Sequence, residues 1–133
     1  MPELLVPISP GELIDKITIL EIKSQRMTDA TKLANVRTEL GMLTETWKTS
    51  AGAAIDINEE WRALRGVNEQ LWDIEDRIRD KERDGQFDAQ FIELARAVYV
   101  TNDERAAIKK RINARLGSTL VEEKSYAEYR RKP

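Results

Sequence analysis

Glu12 and Asp15 stand three residues apart, and Asp73 and Asp76 repeat that spacing further along the chain. On a helix, a step of three returns to nearly the same face, so each pair sets two carboxylates side by side. With no histidine or cysteine in the chain, any metal would have to be oxygen-bound, such as magnesium, manganese or calcium. A second group consists of polar residues on or beside apolar stripes: Glu21 four residues after Ile17, Asn68 and Glu75 flanking Trp72, and Asn102 and Arg105 between Val98 and Ile108. An unpaired buried charge costs several kcal/mol, so inward carboxylates require a cation, and Arg105 or Lys16 can supply it. The expectation is one polar cluster of Glu21, Glu75, Asn102 and Arg105, joined by Asn68 and Lys16. Within it Glu21, Glu75, Arg105 and Lys16 are the candidates for chemistry, and Asn68, Trp72 and Asn102 the candidates for binding. Trp47, Trp61 and Trp72, at helical spacing, read as core or helix interface.

The residues that are missing narrow the chemistry further. The chain has no histidine and no cysteine. That excludes Ser-His and Cys-His nucleophiles, zinc fingers, iron–sulfur clusters and disulfide scaffolds. A glycine-rich phosphate loop, a nucleophile elbow and a dinucleotide fingerprint are also missing.

The elements that must position these side chains are helices. Three of the four prolines lie in the first ten residues and the fourth is the last residue, so nothing between them breaks a helix by proline. Ser9-Pro10-Gly11-Glu12 opens the first helix, with Ser9 as cap, Pro10 at the first helical position and Glu12 as the returning capping-box carboxylate. Its apolar residues, Leu13, Ile14, Ile17, Ile19, Leu20, Ile22 and Met27, spread so widely that the helix must be largely surrounded. After Thr28-Asp29 the seam Leu33, Val36, Leu40, Leu43, Trp47 steps by three and four, the heptad pattern of helix association. A third helix begins between Asp56 and Glu59 and runs to about Arg83, with Leu64, Val67, Leu71, Ile74 and Ile78 as its seam. Asp84-Gly85 stops it. Asp88 caps a fourth helical stretch reaching Leu116 and Gly117, with a possible break at the cap-like Thr101-Asn102-Asp103-Glu104. The fold class is therefore all-α, a four- to five-helix bundle or long-helix hairpin assembly. It forms a single domain over 1–133, with a basic, partly ordered tail from about residue 118.

Charge is unevenly distributed. Arg105 to Pro133 carries nine basic and three acidic residues, a net of +6, against −8 for the remainder. Glu122, Glu123 and Glu128 interrupt the basic run, which reads as solvated or self-paired, and no nucleic-acid partner is expected. No apolar run approaches the ~20 residues of a membrane span, and the first residues lack the pattern of a signal peptide, so a cytoplasmic protein with no membrane partner is expected.

Three segments carry a family likeness: Pro7-Ile8-Ser9-Pro10-Gly11-Glu12-Leu13-Ile14-Asp15-Lys16, Leu71-Trp72-Asp73-Ile74-Glu75-Asp76, and Tyr99 to Arg105 leading to Gly117-Ser118 and Val121 to Tyr126. Together they resemble a family of small uncharacterised helical proteins of bacteria and phages, a domain of unknown function. The resemblance implies a helical fold and no particular activity. The two carboxylate pairs also resemble those of the all-helical nucleoside triphosphate pyrophosphohydrolases, which implies Glu12, Asp15, Asp73 and Asp76 as candidate metal ligands and a magnesium-dependent phosphohydrolase as an alternative function. The leading expectation is a helical interaction or accessory module that forms a homodimer, with a possible protein partner. No cofactor is expected unless the alternative holds, when it would be magnesium.

Overall fold

A computed structural model of the chain describes residues 2–131. They form four α-helices: α1 (Pro10–Arg26), α2 (Ala30–Lys48), α3 (Asn58–Arg83) and α4 (Ala89–Arg115), with a short 3-10 turn at Ala51–Ala54. Among the described residues there is no strand, and no helix is long and apolar enough to cross a membrane.

Local chemistry sets the helix ends. The hydroxyl of Ser9 accepts from the Glu12 amide at 3.2 Å, and Pro10 occupies the first turn of α1. Asp29 and Asp88 cap α2 and α4 by accepting from the amides of Lys32 and Phe91. Each such cap satisfies a donor that the first turn leaves without a partner. At the other end α3 and α4 both stop at a glycine with φ +66°, Gly85 and Gly117. The following amides turn back to Lys81 and Asn113, which is the Schellman closure that favours glycine at that position.

Helix α1 is the hub. It packs against α2, α3 and α4, while α3 and α4 pack on each other. Its Leu13, Ile14 and Ile17 meet Ile57, Leu64 and Val67 from the α3 side and Ile108 and Ile112 of α4 in one buried cluster. The wide apolar face read from the sequence is thus enclosed. Helix α2 has α1 as its main neighbour, and of its heptad seam only Val36 is buried. Leu40, Leu43 and Trp47 rest on the core from the side, with Trp47 edge-on to Trp61 at 6.0 Å between ring centroids.

Helix α4 runs unbroken through Thr101–Glu104, where a break was possible. Its cap-like residues find other partners: Thr101 is buried, and Asp103 faces Tyr129 and Arg130 of the tail. A continuous helix also keeps Ile108 and Ile112 aligned with α1 and α3.

Lengths decide where the bundle ends. With a rise of about 1.5 Å per residue, the 17 residues of α1 reach about 25 Å, and the 26 of α3 about 39 Å. Between Asn68 and Thr101 no residue is buried. The far half of the α3–α4 hairpin accordingly extends past the cover that α1 provides. Residues 118–131 form no helix or strand, and Leu120, Val121, Tyr126 and Tyr129 stay exposed. The tail is tied to α4 instead through the Tyr99–Tyr129 edge contact and the Glu122–Lys109 ion pair. Lys132 and Pro133, the last of the basic tail, lie outside the described residues.

Candidate functional site

The most buried ionisable group is Asp15, 1% exposed, in the second turn of α1. Its Oδ1 accepts from Arg105 Nε at 2.9 Å and from Asn68 Nδ2 at 2.9 Å, and its Oδ2 accepts from Arg105 Nη2. Lys109 Nζ stands 3.9 Å from the same Oδ2. The second Asn68 amide hydrogen reaches the Thr18 hydroxyl at 3.0 Å, and that hydroxyl donates to the Asp15 carbonyl at 2.9 Å. One turn earlier, Lys109 donates to Glu12 at 2.7 Å, and it also pairs with Glu122 of the tail at 3.0 Å. The Gly11 amide donates to Asn113 Oδ1 at 2.7 Å.

This seam is built by two facing periodicities. Arg105, Lys109 and Asn113 recur every four residues on one stripe of α4, beside the apolar stripe of Ile108 and Ile112. Opposite them Gly11, Glu12 and Asp15 follow one another along α1. Gly11 is required here. A Cβ on it would lie 2.5 Å from the Lys109 carbonyl oxygen, so the missing side chain lets the two backbones touch.

The electrostatics follow from the pairing. The hydrogen bond to Asp15 raises the Arg105 pKa above its ordinary value, against the opposing effect of burial. For Lys109, burial is the largest influence and lowers the pKa. Hydrogen bonds to Glu12 and Glu122, with the nearby Asp15 charge, outweigh it and leave the ammonium raised. Both groups are held as cations. At the outer edge lies a cleft of about 260 Å³ bordered by Glu12, Asn102, Arg105, Lys109 and two tail residues, Glu122 and Lys124.

Of the residues singled out in the sequence, Glu12, Asp15, Asn68, Asn102 and Arg105 meet here. The others lie apart. Glu21 accepts from Trp61 Nε1 at 3.1 Å and faces Arg65, Glu75 pairs with Arg79 at the surface, and Lys16 points to solvent. The expected cluster is therefore corrected: Arg105 takes Asp15 as its partner, while Glu21 and Glu75 satisfy themselves at the rim. Trp72 lies beneath the Arg26 guanidinium, and Arg26 also pairs with Asp73. Asp76 is exposed. The Glu12 carboxylate reaches Lys109 in place of the backbone of its own helix start. Glu12 and Asp15 do share a face, as the magnesium reading needs, but that face meets a guanidinium and an ammonium. Lys109, Thr18, Asn113 and Glu122 were missed. The step of four through 105, 109 and 113 was the signal available for two of them.

Residues 4–133 match the model of one protein family. The chain belongs to that family, DUF6165, a family of unknown function. All three motifs quoted above lie within the matched residues, so the family covers both faces of the Asp15 seam and the α3–α4 hairpin. No curated protein and no solved structure matches the chain.

A second buried carboxylate lies at the start of α3. Glu60 accepts from Arg115 Nη1 at 2.7 Å, and this bond, with the Glu60 backbone amide, holds its pKa below the ordinary value. A lowered carboxylate pKa stabilises the fold above the unfolded value near 4.5, and that contribution disappears as the pH falls through the folded value. Glu60→Gln should remove part of the loss of stability on the acid side of 4.5. Urea midpoints measured across a pH series test this, and an identical pH dependence in parent and variant would contradict it.

Proposed function

We propose that the chain is a helical interaction or accessory module that works self-associated, in the cytoplasm, with no resident cofactor. The observation that carries this is the far half of the α3–α4 hairpin. Ile74, Ile78, Phe91, Leu94 and Val98 continue the apolar seam there, yet none is buried, and Phe87 and Ile92 are largely exposed. A helix stripe is stable when another layer covers it, and two helices alone leave one side of their seam in water. Completing the burial of a partly exposed leucine or isoleucine contributes roughly 0.5 kcal/mol, a fraction of the value for full burial, so the gain comes from a partner that covers several at once.

The Asp15 seam has a structural part in this reading. It fixes α1, the hub, against α3 and α4, so the hairpin is presented in one arrangement. In the basic C-terminal region Arg105, Lys109, Arg115 and Arg130 each face a carboxylate of their own chain, which speaks against a nucleic-acid role. Association of folded chains stabilises them by mass action, so the melting temperature should rise with protein concentration. A melting temperature that stays constant over a wide concentration range would overturn the proposal.

A further inference from the structure

The far half of the hairpin carries a groove of about 570 Å³ between α3 and α4. Its less exposed lining residues are Ile74, Leu94, Ala97 and the stem of Lys81, while charged residues such as Arg77 and Glu93 are exposed beside them. An apolar floor within a polar rim is the anatomy of a protein–protein contact. The rim holds a more specific sign. Arg77 stands on the α3 wall and Glu93 on the α4 wall, and among the described residues neither has an ion-pair partner in its own chain, although both border the same groove. The other charged residues lining the groove are already paired, Lys81 with Asp88 and both Asp80 and Asp84 with Arg83.

From this we infer that the occupant of the groove is the same groove of a second copy, the two hairpins packing about a two-fold axis into a four-helix arrangement. A two-fold contact requires a self-complementary patch, in which residue i of one copy meets residue j of the other and j meets i. Opposite free charges on the two walls satisfy that rule. Arg77 of each copy faces Glu93 of the other, above a shared floor of Ile74, Leu94 and Ala97. Covering the groove in this way also encloses Ile74 and Leu94, two residues of the seam that α1 is too short to reach. The inference rests on the self-association proposed above and assigns it a surface.

The test uses the full chain, with dimer dissociation followed by sedimentation at a series of concentrations. Arg77→Glu alone and Glu93→Arg alone each set like charges opposite one another twice per dimer and should weaken association by about tenfold or more. The double variant Arg77→Glu with Glu93→Arg should recover most of the loss. Both positions are exposed, so helicity and the monomer fold should remain unchanged. Leu94→Glu should abolish the dimer. A dimer indifferent to all of these variants, or one lost only on deleting the exposed arm 2–8, would overturn the inference and leave self-association standing. Single variants that weaken the dimer without rescue by the double variant would overturn the Arg77–Glu93 pairing. A parent chain that is monomeric throughout would remove the proposed function itself.

Discussion

Arg105→Ala is expected to lower folding stability by about 3–5 kcal/mol, the cost of leaving one member of a buried ion pair without its partner. Asp15 is enclosed by α1, α3 and α4, and Arg105 supplies two of its hydrogen bonds. Lys109, at 3.9 Å, is already shared with Glu12 and Glu122 and cannot replace a bidentate guanidinium. Arg105→Lys should restore only part of the loss, because an ammonium lacks the planar fork. Replacing both partners with apolar residues, Asp15→Leu with Arg105→Met, should cost less than Arg105→Ala alone, since no charge is then stranded. Urea unfolding of the three variants separates these cases. A parental midpoint for Arg105→Ala would show that the seam does not hold α1 in place.

Gly11→Ala is the second large effect. A methyl group there would meet the Lys109 carbonyl at 2.5 Å and Asn113 Oδ1 at 2.9 Å. The first of these is helix backbone, which cannot step aside as a side-chain tip can. Overpacking of this kind costs roughly 1–3 kcal/mol, and the gain in helix propensity from alanine is too small to cancel it near a helix start. Displacing α1 at Gly11 also lengthens the Lys109–Glu12 contact and breaks the hydrogen bond that the Gly11 amide donates to Asn113. Thermal melting of Gly11→Ala checks this, with Gly41→Ala as the control, because a Cβ at Gly41 meets nothing within 4 Å. Equal melting temperatures for the two variants would contradict the close packing of α1 on α4.

Most of the helical architecture was legible because it is local. Ser9, Asp29 and Asp88 act as the caps their positions suggest, and Gly85 and Gly117 end helices as glycines do. The width of the apolar face on α1 announced a helix enclosed on several sides. The site was harder to read because it is not local. Asp15 and Arg105 are 90 residues apart, and nothing in the neighbourhood of Asp15, with exposed Lys16 beside it, marks it as buried. Glu21 and Glu75 looked inward because they adjoin apolar stripes, but a long carboxylate at the edge of a stripe can lean outward to Trp61, Arg65 or Arg79. Arg105 was identified and its partner was not. The seam of α3 reads to Ile78 from its periodicity, which does not say what covers it. Coverage depends on the neighbouring helix, and the shorter span of α1 already implied that it would run out.

Self-association is the claim on which the functional reading depends, and the mass of the full chain in solution tests it most directly. Sedimentation equilibrium should return twice the 15.3 kDa mass of one chain at high concentration, shifting toward the single-chain mass on dilution. A mass of one chain at every concentration would contradict the account.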